Sequence, residues 1–169
     1  MLFADHGTAN LIRYDYNGNK TIIGHFTEGE IFGEVFYPTN TNNELFVEAK
    51  EKCEVIFFNY NYITKGCSTN CAFHKELEDR INLLIMNNTI KLNIRIELLT
   101  KKNIRDKLLS YFNIIASKNF SKTFTLPFSL TDLADYLSVD RSAMMRELSH
   151  LKKEGFIEKK GNKITLLMS

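Results

Sequence analysis

The sequence predicts an α+β chain in three consecutive parts: a partial antiparallel β-roll over residues 1–72, a long helix over 73–100 and a winged helix-turn-helix over 101–169. Three observations predict it. Short β-rich runs punctuated by turn residues fill the first part, and an unbroken stretch with two apolar stripes at helical spacing fills the second. In the third, two short amphipathic helices meet at a tight turn ahead of a hairpin.

The strand-like runs are Asn10 to Tyr16, Lys20 to Phe26, Leu45 to Ala49 and Cys53 to Asn59. Tyr16-Asn17-Gly18-Asn19, Thr27-Glu28-Gly29-Glu30 and the segment from Pro38 to Asn43 separate them, and each is rich in residues that turn a chain. Short antiparallel strands at this spacing make a barrel or roll.

Phe73 to Leu99 reads as one helix. Leu77, Ile81, Leu84, Ile85, Asn88, Leu92, Ile96 and Leu99 form one stripe, and Leu83, Met86, Ile90, Ile94 and Leu98 form a second. A helix with two apolar stripes needs two partners. The roll is one, and the same helix of a second subunit is the other, with the first stripe at the subunit interface. Asn88, the lone polar residue of that stripe, would then pair with its symmetry mate and fix register. The alternative is a helix buried within a monomer.

The pattern breaks at Thr100-Lys101-Lys102-Asn103, a hinge, and restarts in a helix from Ile104 to Ser117 with Ile104, Leu108, Leu109, Phe112 and Ile115 on its core face. Phe120 to Phe128 reads as an extended link ended by Pro127. Ser129 is a natural N-cap, with Asp132 three residues on. Leu130, Leu133, Ala134 and Leu137 make the core face of that helix, where Ala134 allows a close helix crossing. After a turn at Ser138-Val139-Asp140, Asp140 caps a second helix whose Met144, Leu148 and Leu151 face inward. Arg141, Ser142, Met145, Arg146 and Ser149 are left outside. Two arginines near the N-terminus of an outward face suit major-groove readout, since a guanidinium donates twice to one guanine. A bare pair of helices is also consistent with an ordinary helical hairpin, but a wing follows: Phe156 to Lys160 and Lys163 to Leu167 are joined by only Gly161-Asn162. Lys159, Lys160 and Lys163 crowd its tip, where phosphates would lie. With Ser129 and Thr131, these outward residues make up the expected DNA-binding set.

The segment LADYLSVDRSAMMRELSHLKKEGFI, together with GEIFGE upstream, resembles the cyclic-AMP receptor/fumarate-nitrate regulator (CRP/FNR) superfamily of bacterial transcription factors. The resemblance covers nearly the whole chain, beginning midway through the family's effector roll. It implies a homodimeric transcription regulator with a cyclic-nucleotide-binding-like domain. Family recognition helices usually read Arg-Glu-x-x-x-Arg; here the two arginines carry over to Arg141 and Arg146, but Ser142 stands where the glutamate would be and cannot accept from cytosine N4 as a carboxylate does. The family's usual operator is therefore not expected. Ser138 stands where the turn usually has glycine. Gly29 to Glu34 resembles the start of the phosphate-binding segment, in which Gly33 and Glu34 would meet the nucleotide. Asn43 and Glu44, however, occupy the positions where cyclic-AMP binders have Arg-Ser, so a phosphate there would lose its guanidinium and meet a carboxylate. The effector is expected to be something other than cyclic AMP.

Residues 1–100 hold 9 basic against 13 acidic residues, a net −4, and residues 101–169 hold 13 against 7, a net +6, so the polyanion-binding end is the C-terminal third. No apolar run is long enough for a membrane span and no export signal is visible, which points to the cytoplasm. Cys53, Cys67 and Cys71 are expected as reduced thiols, Cys53 as a small core residue. Thiol or metal chemistry at Cys67, Cys71 and His74 is the competing enzyme reading. It lacks an assembled base, orienting carboxylate and oxyanion donor, so no catalytic residue, metal or cofactor is expected. A third reading is an adaptor whose winged helix binds protein. The expected partners are double-stranded DNA and a second copy of the chain, with RNA polymerase as a further partner if the protein activates.

Overall fold

The computed structural model describes residues 2–33, 45–59, 61, 63, 65 and 71–167. The chain divides into two compact units, Met1–Asn93 and Ile94–Ser169.

In the first unit, strands β1 (Leu2–His6), β2 (Ala9–Tyr14), β3 (Lys20–Phe26), β4 (Ile31–Phe32), β5 (Leu45–Ala49) and β6 (Glu54–Phe57) form two three-stranded antiparallel sheets, ordered β4-β1-β6 and β3-β2-β5. The β2–β3 turn is built by Asp15, whose carboxylate accepts from the backbone N–H of Asn17 at 2.8 Å and of Asn19 at 2.9 Å, while Gly18 supplies a φ of +79°. The Asn19 side-chain amide, with these backbone donors, holds the Asp15 carboxyl below its usual range. Ala4, Leu11, Phe26 and Phe32 form the core of the roll, and the Phe26 and Phe32 rings stack at 5.0 Å. Strand β3 and strand β5 match the expected bounds, whereas β1 and the two-residue β4 were not foreseen. Cys53 is half-buried just ahead of β6, its thiol directed at the Thr8 carbonyl at 3.1 Å beneath Gly7.

Helix α1 (Ala72–Thr100) differs from expectation in which stripe it buries. Ile81 packs with Ile31 and Ile63, and Leu77, Leu84 and Ile85 lie against that cluster, so the stripe expected at a subunit interface packs on the roll at these residues. Asn88 is buried as well: its amide donates to the Ile31 carbonyl at 2.7 Å. That bond explains the choice. β4 is an edge strand, and an asparagine in the apolar stripe supplies a donor to its carbonyl where a leucine would leave it unsatisfied. Lys91 pairs with Glu30 beside it. The other stripe is left in solvent, with Leu83 57%, Met86 63% and Ile90 56% exposed. Leu92 and Ile96 are exposed too and Leu99 is half-buried. Ile94 and Leu98, expected on the roll, belong instead to the core of the second unit.

The second unit contains the end of α1, then α2 (Ile104–Lys118), β7 (Thr123–Thr125), α3 (Leu130–Leu137), α4 (Arg141–Lys153), β8 (Ile157–Lys160) and β9 (Lys163–Leu166). Its core is continuous: Leu98, Leu108, Phe112, Leu133, Leu137, Met144, Leu151, Ile157 and Ile164 are all almost fully enclosed. Asn103 caps α2 by accepting from the Asp106 N–H at 2.7 Å. The segment read as a link contains β7, which pairs with β9 and completes a three-stranded sheet ordered β7-β9-β8.

Candidate nucleic-acid interface

The interface is assembled from α3, α4 and the β8–β9 hairpin. Ser129 caps α3, accepting from the Asp132 N–H at 3.1 Å and donating its hydroxyl to the Asp132 carboxylate at 2.8 Å. Its side chain therefore serves the helix end, whereas Thr131 is exposed. Leu133, Ala134 and Leu137 are buried against Met144 and Leu148 of α4. Between the helices Ser138 adopts a left-handed conformation, φ +52°, which costs a side-chain-bearing residue roughly 1 kcal/mol relative to glycine. The turn keeps its shape regardless, because the N–H of Val139 donates to the Ala134 carbonyl at 3.1 Å. The Lys107 ammonium donates to the Leu137 carbonyl at 3.0 Å and satisfies the end of α3 from α2.

Asp140 caps α4, accepting from the Ala143 N–H at 2.7 Å. With Met144, Leu148 and Leu151 buried beneath it, the helix leaves Arg141, Ser142, Met145, Arg146 and Ser149 on its exposed side, as their spacing predicts. His150, Lys152 and Lys153 place basic groups in its last turn.

The hairpin turns at Gly161-Asn162, where Gly161 has φ +58° and Lys160 pairs with Lys163. Asn162 holds the tip down: its side-chain amide donates to the carbonyls of Leu126 at 3.3 Å and Phe128 at 3.4 Å, and its own carbonyl accepts from Leu126 N–H at 2.9 Å. The wing is thereby tied to the segment that leads into α3. The three lysines at its tip are not equivalent. Lys159 donates to the Gly161 carbonyl at 2.6 Å and Lys160 lies 3.6 Å from Glu158, whereas Lys163 is exposed on β9.

Sequence reasoning missed four contributors: β7, Lys107, Asn162 as a tether, and Arg105. Arg105 stands in the first turn of α2 and reaches Glu147 and Glu154 on α4. Arg95 is buried at 8% exposure with its guanidinium 4.5 Å over the Tyr136 ring, and that burial holds its pKa below the ordinary arginine value.

Of the residues expected to meet an effector, Gly33 closes β4 with φ +85°, a conformation that favours glycine whatever the ligand; Glu34, Asn43 and Glu44 lie outside the described residues. Cys67 also lies outside them. Cys71 is exposed just ahead of α1, and His74 Nε2 meets the Ile63 carbonyl, which engages that nitrogen as a donor. No helix among the described residues is long and apolar enough to cross a membrane.

Residues 1–70 match the family model of the cyclic nucleotide-binding domain, and residues 106–168 match that of the Crp-like helix-turn-helix domain. A roll of the first kind followed by a DNA-binding domain of the second is the arrangement of bacterial transcription regulators of the CRP/FNR superfamily, and this chain belongs to that superfamily. Electron transport regulator A of Shewanella oneidensis is 25% identical over 166 residues, and the chain spans 64% of its length. Among solved structures, the c-di-GMP responsive global regulator CLP of Xanthomonas campestris superposes with a TM-score of 0.75 at 15% identity, covering 99% of this chain and 84% of that one. FixK2 of Bradyrhizobium japonicum gives 0.72 at 17% identity, covering 98% and 81%. A cyclic nucleotide-binding domain containing protein of Listeria monocytogenes gives 0.77 at 13% identity, covering 97% and 78%.

Proposed function

We propose that the protein is a homodimeric regulator that reads a specific DNA sequence with the exposed face of α4 and anchors on phosphates with the wing. The observation that supports this most strongly is the division of α4 itself, in which Met144, Leu148 and Leu151 are enclosed while Arg141, Ser142, Met145, Arg146 and Ser149 stand on the exposed side of a capped, braced helix. The dimer would form through Leu83, Met86 and Ile90, because these three are apolar and exposed while Leu77, Ile81, Leu84, Ile85 and Asn88 on the opposite side of the helix are engaged by the roll.

Anchoring is tested at Lys163, whose ammonium is offered to solvent on β9. Lys163→Ala weakens specific and random duplexes alike and flattens the slope of log affinity against log salt by about 0.9, the value of one phosphate neutralised. An unchanged slope would remove the wing from the DNA interface.

The effector is expected to be other than cyclic AMP, on the strength of Asn43 and Glu44 where an arginine and a serine would hold the phosphate. Millimolar cyclic AMP should leave the melting temperature unmoved. A ligand present at about 100 times its dissociation constant would add roughly 2.7 kcal/mol, so a clear thermal shift contradicts this reading.

A further inference from the structure

We infer that Arg105 is a positioning residue for base reading: one guanidinium in the first turn of α2 that sets the orientation of the α4 face carrying Arg146. This rests on the proposal that α4 reads DNA. The contacts are distributed along α4. Nη1 lies 3.4 Å from Glu147, which directly follows Arg146, and Nη2 is bonded to Glu154 at the C-cap, one residue past the last turn. The guanidinium carbon is also 4.7 Å from the centre of the Phe156 ring, where the chain leaves the helix for β8. Glu147 and Glu154 are seven residues apart, two helical turns, on one flank of the buried stripe.

Apolar packing alone holds a helix against its core but resists rolling about its own axis weakly, because a stripe of Met and Leu side chains can repack. Two carboxylates gripped on one flank resist that rotation, since rolling one way stretches both contacts and rolling the other way drives both carboxylates into the guanidinium. A forked, planar guanidinium can hold two carboxylates and an aromatic ring together; an ammonium cannot. A small roll would displace the tips of Arg141 and Arg146, long side chains that must meet base edges within a fraction of an ångström. Glu147 also lies 3.8 Å from His150 Nδ1, so a second, weaker partner on α4 itself faces the same carboxylate.

The test compares two changes that break the same grip with opposite effects on charge. Arg105→Met keeps an unbranched stem over Phe156 and removes one positive charge. Glu147→Gln with Glu154→Gln keeps Arg105 and removes two negative charges. Each is titrated against an operator selected from random duplexes and against a scrambled duplex at one salt concentration, with thermal melting followed by circular dichroism. The ratio of operator to scrambled affinity is expected to fall about fivefold or more in both variants, the lower end of what one base contact is worth. Arg105→Lys should recover only part of the ratio. A ratio unchanged in either variant, or ratios moving in opposite directions with net charge, would overturn the inference. Should Arg105→Met melt below the assay temperature, the glutamine pair decides alone. Failure of the unmodified protein to prefer its operator would instead count against α4 as the reading helix.

Discussion

A protein carrying Leu83→Asp and Ile90→Asp is expected to sediment as a monomer and to lose about 10²–10⁴-fold in operator affinity, the advantage that two linked reading heads have over one. Both side chains are more than half exposed within the unit, so the substitutions cost its own fold little. In a dimer each would be buried, at about 1.5–3 kcal/mol for a large aliphatic side chain, and the aspartates would place charges across the axis from their mates. The control is Ile81→Asp. Ile81 is packed on Ile31 and Ile63, so a carboxylate there is buried without a partner and lowers the melting temperature of the roll instead of dissociating a folded dimer. Sedimentation and melting of the two variants thus assign the two faces of α1. A wild-type protein that is monomeric at micromolar concentration would end the dimer proposal.

The second large effect is at Arg146, exposed on α4 directly before the residue that Arg105 holds. Arg146→Ala removes a base contact worth about 1–3 kcal/mol, so operator affinity falls roughly 5- to 150-fold while random duplex loses only the share due to one charge. Equal losses on both duplexes would mean that the outer face of α4 does not read bases.

Much of the second unit was legible because its determinants are local. Ser129 and Asp140 announce the starts of α3 and α4 through cap bonds three residues long, and a two-residue turn fixes the hairpin. What was illegible depends on partners distant in sequence. The two stripes of α1 are alike in composition. The choice between them turns on Asn88 bonding a carbonyl 57 residues away, so a polar residue read as a dimer register device proved to be a donor to an edge strand. β7 is three residues with no pattern of its own, a strand only because Thr123 to Thr125 find β9. Arg105 looks like any basic residue near a helix start, and its partners lie 42 and 49 residues on. Residues 34–44, on which the expected effector contacts Glu34, Asn43 and Glu44 fall, lie outside the described part of the roll.

Repeated selection of bound fragments from a pool of random duplexes decides whether this protein reads DNA sequence. The expected result is enrichment of one two-fold-symmetric sequence whose half-sites are about one helical turn, or a multiple of it, apart, lost from the selection when Arg146→Ala is used. A retained pool no different in sequence from the input, released by salt equally from every duplex, would contradict it.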